Sequence, residues 1–383
     1  MRAPVPDDLT TLLAELVAID SVNPALVPGG AGESAAVAHV EAWARAAGLQ
    51  AERLEATPGR PSTLVRARGT GGGRTLLLCG HLDTVGVEGM TAPHAPRVDG
   101  DRMYGRGTYD MKAGVAAALI AAREAASRRL RGDVVVAVVA DEEHASLGVQ
   151  EALAALGERA DGAIVTEPTE LELLVAHKGF AWSEIEVTGR AAHGSRPQLG
   201  VDAIVKTGPV LTALGELELT LAAREHPLLG RGSVHASLIR GGVELSSIPA
   251  SCTVGIERRT LPGETAADVE AELDALLDRC RTADPALEAA RRTLLVREPF
   301  ELDASAEIAV MVRDAAGDVL GDQPPLAGGS FWADSAFIAA AGIPTVLFGP
   351  RGEGAHAVEE WVSLSSTAAV AGVLTRVAAR FCA

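Results

Sequence analysis

The sequence predicts an α/β fold, a mainly parallel, helix-covered sheet interrupted by an inserted α+β domain. Three observations predict it. Apolar strands alternate with helices up to about Ala176, and strand-helix alternation implies a parallel sheet. Strands such as Val134 to Ala140 are apolar at every position, as strands covered on both faces must be. After Ala176 the pattern changes to half-polar alternation, and from about Phe300 the first pattern returns. A chain of 383 residues exceeds the roughly 250–300 residues one core sustains, so two domains are expected: 1–177 with 297–383, and the insert 178–296.

In chain order, helical periodicity marks "DDLTTLLAELVAI", with Asp7 in its N-cap region, and "ESAAVAHVEAWARAAG", where Gly48 suits a C-terminal cap. Then come the strand "TLLLCG", the helix "MKAGVAAALIAAREAASR", the strand "DVVVAVVAD", a helix after Leu147 and the strand "GAIVTE". The insert reads as "WSEIEVTG", a helix near "GVDAIVKTGPVLTAL", the strands "SVHASLIRGG" and "CTVGIERR", and the helix "TAADVEAELDALLDRC": an antiparallel sheet with helices on one side. The helix "ASAEIAVMVRDAAG", the strand "IPTVLFG" and a helix after Leu364 complete the first domain. "GTGGGR" is a hairpin or loop.

Lys plus Arg number 34 against 51 Asp plus Glu, a formal charge of -17, which disfavours nucleic acid or an anionic membrane as partner. Cys79, Cys252, Cys280 and Cys382 are scattered without C-x-x-C spacing, as expected of reduced, buried thiols in a cytoplasmic protein. The stretch "MRAPVPDDLTTLLAELVAID" carries two prolines and four acidic residues where a signal peptide needs an apolar core. No apolar run approaches the ~20 residues of a membrane span.

Chemistry gathers where strands end. "LLLCGHLDTVGV" runs from buried strand into His81 and Asp83; Asp141, Glu142 and Glu143 follow the next strand and Glu167 the one after. Asp110 begins a helix, and His356 lies just past the last strand. The carboxyl ends of strands in an open α/β sheet form its ligand crevice, so these residues should converge. Each alone has a structural explanation: an H-x-D at a turn, a solvated acidic loop, a strand end. Together, the unpaired acids would repel one another, and a divalent cation resolves that. Imidazole and carboxylate without thiolate suit zinc, or less strongly cobalt or manganese, and one carboxylate can bridge two ions. Asp83 is spaced to hold the second ring nitrogen of His81.

With "GHLDTV", "GRGTYDMKAG", "ADEEHASLG", "TEPT", "KGFAWSEIEVTGRAAHGSRPQLGVDAI", "ERRTLPGE" and "FGPRGEGAHAVEEWV" in this order, the chain resembles the M20 family of dinuclear zinc amidohydrolases almost end to end. The family includes acetylornithine deacetylase, succinyl-diaminopimelate desuccinylase, aminoacylase-1 and glutamate carboxypeptidase. The resemblance implies two Zn2+ ions: His81 and Glu167 on one, Glu143 and His356 on the other, Asp110 bridging. It makes Glu142 the general base, Asp83 the orienter of His81, and the Asp110–Met111 peptide cis. The insert would be a ferredoxin-like lid and homodimerisation domain, from which His193 stabilises the oxyanion in the partner's site. Arg259 would hold a substrate carboxylate, with Arg258, on the other strand face, as the structural alternative. Ser246, beside Ser247, stands where relatives have Asn, and "GGSFWADSAF" keeps an acid, Asp334, in bulkier surroundings; both are candidate substrate contacts.

The implied function is hydrolysis of the amide bond of a small N-acyl amino acid, with an M20 dipeptidase or glutamate-carboxypeptidase-like enzyme as alternative and a catalytically inactive metal-binding protein as a remote one. A serine hydrolase is disfavoured because G-x-S-x-G is absent. Of the other histidines, His39 and His94 fit ordinary structural positions, His177 and His235 fall at the edges of the insert and could face the cleft, and His144 and His226 have no assigned role.

Overall fold

The computed structural model describes residues 5–157 and 160–383. The chain forms two compact units: Met1–Val175 with Leu302–Ala327 and Ala333–Ala383, and Ala176–Glu301 with Gly328–Trp332.

The first unit is built on one sheet whose strands run in the order Gln50–Leu54, Ser62–Ala67, Val134–Val139, Leu76–His81, Gly162–Val165, Thr345–Leu347 and Leu173–His177. The four from Val134–Val139 to Thr345–Leu347 are mutually parallel, and the flanking strands pair antiparallel. All positions of Leu76–His81 and Val134–Val139 are buried, the consequence of helices on both faces. Helix Ala113–Ser127 is about half alanine, and its small side chains let it lie against the C-terminal helix Leu364–Phe381 within one continuous core. Helix Ser34–Ala46 ends at Gly48, whose φ of 76° is the left-handed conformation glycine adopts without penalty. The glycine tract from Gly69 is a loop bonded to Leu130 and Arg131. Two strands escape the apolar pattern: Gln50–Leu54 is an exposed edge, and Ser62–Ala67 lies beside it.

The second unit follows the order strand, helix, strand, strand, helix, strand. Its antiparallel sheet runs Ser233–Gly241, Ser251–Thr260, Gly179–Thr188, Glu288–Arg297, the ferredoxin-like arrangement. Alternate positions of Gly179–Thr188 and Ser251–Thr260 are buried, as a one-faced sheet requires, and helices Ala203–Leu221 and Ala266–Ala283 supply the covering core. A reciprocal cap between Thr265 and Asp268 starts the latter helix. The edge strand Ser233–Gly241 is mostly exposed, with Leu238 and Ile239 open and Val243 and Leu245 fully so just beyond it. Phe300–Glu301 pairs with Ala176–His177, so the unit's main segment begins and ends on adjacent strands. The four cysteines are free and buried. Among the described residues no helix is long and apolar enough to cross a membrane.

Candidate active site

In the first unit, the strand Leu76–His81 delivers His81 at its carboxyl end, buried. The Nδ1 of His81 lies 2.9 Å from the main-chain carbonyl of Asp83. A carbonyl can only accept, so Nδ1 carries a proton and Nε2 is the ring nitrogen turned toward the cluster. This corrects the expectation that the Asp83 side chain would hold the ring: the nearest carboxylate oxygen is 3.7 Å away. That carboxylate accepts instead from the main-chain N–H of Glu142 and Glu143, both at 3.1 Å, and from Asn23 at 2.8 Å. Asp83 thus orients the ring with its backbone and the Glu142–Glu143 turn with its side chain.

His81 Nε2 stands 3.2 Å from Asp110, 3.8 Å from Glu167 and 3.9 Å from Glu142. Asp110 also lies 3.3 Å from His356 Nε2, which is 3.1 Å from Glu143. One ligand atom each from His81, Asp110 and Glu143 lies within 4.8 Å of the other two. The Asp110–Met111 peptide is cis, the conformation the resemblance implies. The loop before it is organised by Glu360, whose buried carboxylate accepts from the main-chain N–H of Gly107, Tyr109 and Asp110 and pairs with Arg106 at 2.7 Å. Glu167 is reached by close backbone approach: a Cβ on Gly349 would sit 1.8 Å from the Glu167 carbonyl oxygen, and one on Gly114 2.0 Å from that of Thr166. Only glycine fits either place.

Burial, together with the neighbouring acids, pushes the Glu142 carboxyl well up despite His81, and Glu167 up to about 8. Burial and Asp110 likewise raise Glu143. Burial opposes protonation of His81, but Asp110, Glu167 and Glu142 outweigh it and raise its pKa; hydrogen bonds to Asp110 and Glu143 lift His356 to about 10. Asp110, held by both imidazoles, is pulled down in spite of burial. Four carboxylates thus face two rings, and the crowding is relieved only by protons held on the rings and on acids such as Glu142 and Glu167. Imidazole and carboxylate donors without thiolate suit zinc, cobalt or manganese, so the donor set fits metal ions.

Asp334 is buried in the same unit, and its charge adds to the upward pressure on Glu142 and Glu167. The remaining candidates belong to the second unit. His193 is exposed, with Nδ1 2.8 Å from Ser195 Oγ, and its short strand pairs with Ser247–Ile248, while Gly194 N–H donates to the Ser246 carbonyl. Arg258 is buried between Glu264 (2.8 Å) and Glu272 (3.0 Å), the structural position. Arg259 is one-third exposed, salt-bridged to Glu257 at 2.6 Å and lying over the Phe180 ring. His177 is buried, bonded to the Lys178 carbonyl and packed on Phe300 and Trp332, whereas His235 is exposed on the edge strand. His39, His94 and His226 lie beside Glu15, Asp20 and Glu301 respectively, and His144 is half-exposed. Asn23 and Glu360, which organise the cluster, had no part in the sequence expectations; the one signal for Glu360 was its place in "GAHAVEEWV".

Comparison with known proteins agrees with this geometry. The sequence pattern of peptidase family M20/M25/M40 matches residues 77–380. Acetylornithine deacetylase of Myxococcus xanthus is 31% identical over 388 residues, 98% of this chain and 97% of that protein. The Vibrio vulnificus protein of the same name is 32% identical over 260 residues, 65% and 67% of the two chains. Among solved structures, the M20 family metallo-carboxypeptidase Sso-CP2 of Sulfolobus solfataricus superposes with a TM-score of 0.81 at 17% identity, covering 98% of this chain and 99% of that one. The YXEP protein of Bacillus subtilis, described as a dinuclear metal binding peptidase, gives 0.72 at 16% identity over 98% and 97%. With the family pattern spanning most of its length and the fold matched throughout, the chain belongs to peptidase family M20/M25/M40.

Proposed function

We propose that this family hydrolase is a metal-dependent deacylase cleaving the amide bond of N-acyl amino acids, as the name of its acetylornithine deacetylase relatives suggests. The observation that carries the reading is the convergence of His81, Asp110, Glu143 and His356 from separate strand ends and loops, with Glu142 and Glu167 alongside. His81 and Glu167 would hold one ion and Glu143 and His356 a second, with Asp110 shared. Bound there, divalent cations of the zinc type supply Lewis-acid polarisation of the amide carbonyl and acidify water near neutral pH. Glu142 takes the proton of the attacking water and returns it to the departing amine, a role matched to a carboxyl whose affinity for protons burial has raised. Asp83 keeps His81 in the tautomer that leaves Nε2 open.

The insert, 178–296, would act as lid and dimerisation domain, a reading supported by its exposed edge strand with Leu238, Ile239, Val243 and Leu245. In such a homodimer His193 would stabilise the oxyanion in the partner's site, Arg259 would hold the substrate carboxylate, and Ser246 and Asp334 would adjust the pocket. Four buried free thiols suit a cytoplasmic location. The test is metal analysis followed by a kinetic panel of acetyl-ornithine, succinyl-diaminopimelate, other acyl amino acids and dipeptides on zinc-loaded protein. Preferential turnover of acyl amino acids supports the deacylase; turnover of dipeptides alone moves the activity to peptidase, and bound zinc without hydrolysis of any amide overturns the enzyme reading.

A further inference from the structure

Next to the cluster, joined to it through Asp83 and the Glu142–Glu143 turn, the first unit buries a second row of charge. Asn23 is wholly buried, and its amide nitrogen spends one hydrogen on Asp83 Oδ2 (2.8 Å) and the other on Asp141 Oδ1 (3.1 Å), while its Oδ1 accepts from the Ala25 N–H (2.9 Å). Arg60 reaches the same Asp141 oxygen at 2.7 Å and forks onto Glu33 at 2.6 and 2.9 Å. Glu33, Asp141 and Asp83 are all fully buried. Three inaccessible carboxylates on one guanidinium and one amide are a costly way to stabilise a fold, since apolar side chains of similar volume would do at least as well.

What the row holds is the turn after strand Val134–Val139. Asp141 has φ of 68°, a left-handed conformation unfavourable for a non-glycine residue. Its carbonyl accepts from the N–H groups of His144, Ala145 and Ser146, and the next two residues, Glu142 and Glu143, give their N–H groups to Asp83. Asn23 therefore ties the two carboxylates that fix this turn, one on each side of it. Every hydrogen-bonding capacity it uses is matched in geometry, so an aspartate there would place a third acid between two others, and an alanine would release both.

We propose that Asn23 and Arg60 are positioning residues that set the Glu142–Glu143 turn, and through it both proton transfer and metal affinity. The inference rests on the roles proposed above for Glu142 and Glu143. The experiment compares Asn23→Ala, Asn23→Asp, Arg60→Met and Arg60→Lys with the parent by zinc competition against a chromophoric chelator, by kcat and KM on the best acyl amino acid of the panel, and by thermal unfolding. Asn23→Ala is expected to weaken zinc binding and lower kcat by about 10-fold each, the lower end of the loss seen when a direct partner of a ligand is removed, because Asn23 acts through Asp83; KM should change less than about threefold and the fold should be retained. Asn23→Asp should fall further than Asn23→Ala, and Arg60→Lys should recover part of what Arg60→Met loses, since it keeps the charge but not the fork. Lowered thermal stability with unchanged zinc affinity and kcat would overturn the proposal. Should Arg60→Met fail to fold, Asn23→Ala still decides, because it leaves the Arg60–Asp141 pair in place. If the parent binds zinc but hydrolyses nothing, the functional reading fails while the zinc arm continues to test the positioning role.

Discussion

In the first unit most polar residues of interest are buried and cross-tied: His81, Asp83 and Asp141 are sealed from solvent, each with a partner that fixes its direction, and His356 is the half-exposed exception. In the second, His193, Ser246 and Arg259 are exposed or partly so, with contacts to near neighbours in sequence such as Ser195 and Glu257. The contrast separates two demands on a hydrolase. Under the proposed roles, groups that would meet a small ion or a moving proton lie at sheet ends and on loops tied to them, whereas groups that would meet a variable substrate lie on surface segments.

The comparison can be broken at several points. Glu142→Gln should lower kcat by about 10³- to 10⁴-fold with zinc content unchanged; loss of zinc along with activity would mean that Glu142 is a ligand rather than the base. Arg258→Ala should destabilise the second unit by about 1.5–3 kcal/mol, because Glu264 and Glu272 lose their buried partner and keep only the half-exposed Arg224 at 3.3 and 3.2 Å, which denaturant titration measures. His193→Ala should cost about 10²- to 10³-fold in kcat without altering zinc affinity or stability, and mixing it with Glu142→Gln protein should restore activity if the imidazole acts across subunits. Arg259→Ala should leave stability alone and raise KM about 10- to 100-fold for substrates with a free carboxylate, consistent with losing roughly 1.5–3 kcal/mol of charged hydrogen bonding. The gentlest test concerns protons. His356, lifted to about 10, and Glu167, lifted to about 8, are protonated at pH 7 in the metal-free protein. Because ligands bind metal deprotonated, zinc binding at pH 7 must release protons, and affinity should rise with pH until those groups have titrated. Calorimetry in buffers of different ionisation enthalpy reads this directly, and zero release would contradict their role as ligands.

How much of this was legible beforehand follows from the kind of signal each residue leaves. The strands ending at His81, Val139 and Val165 were visible because buried runs of β-branched and aliphatic residues stop abruptly at acids. Gln50–Leu54 and Glu288–Arg297 were not, since exposed or half-exposed edge strands rich in Glu and Arg carry no apolar rhythm. Asp83 was found but given the wrong atom: spacing along a chain locates a residue, yet it does not say whether its carbonyl or its carboxylate will face the ring. The choice between Arg258 and Arg259 was framed correctly by strand alternation, which puts neighbours on opposite faces, while the identity of the buried one depended on where Glu264 and Glu272 would arrive. Asn23 and Glu360 left almost no trace, because their importance comes from partners as much as 254 positions distant.

The pairing of Ala176–His177 with Phe300–Glu301 has an evolutionary side. A host fold that meets its guest through two adjoining strands experiences the guest as nothing more than a hairpin, so lengthening, shrinking or exchanging it imposes little extra closure entropy. Such a junction would let the length of the insert change with little strain on the sheet that carries His81.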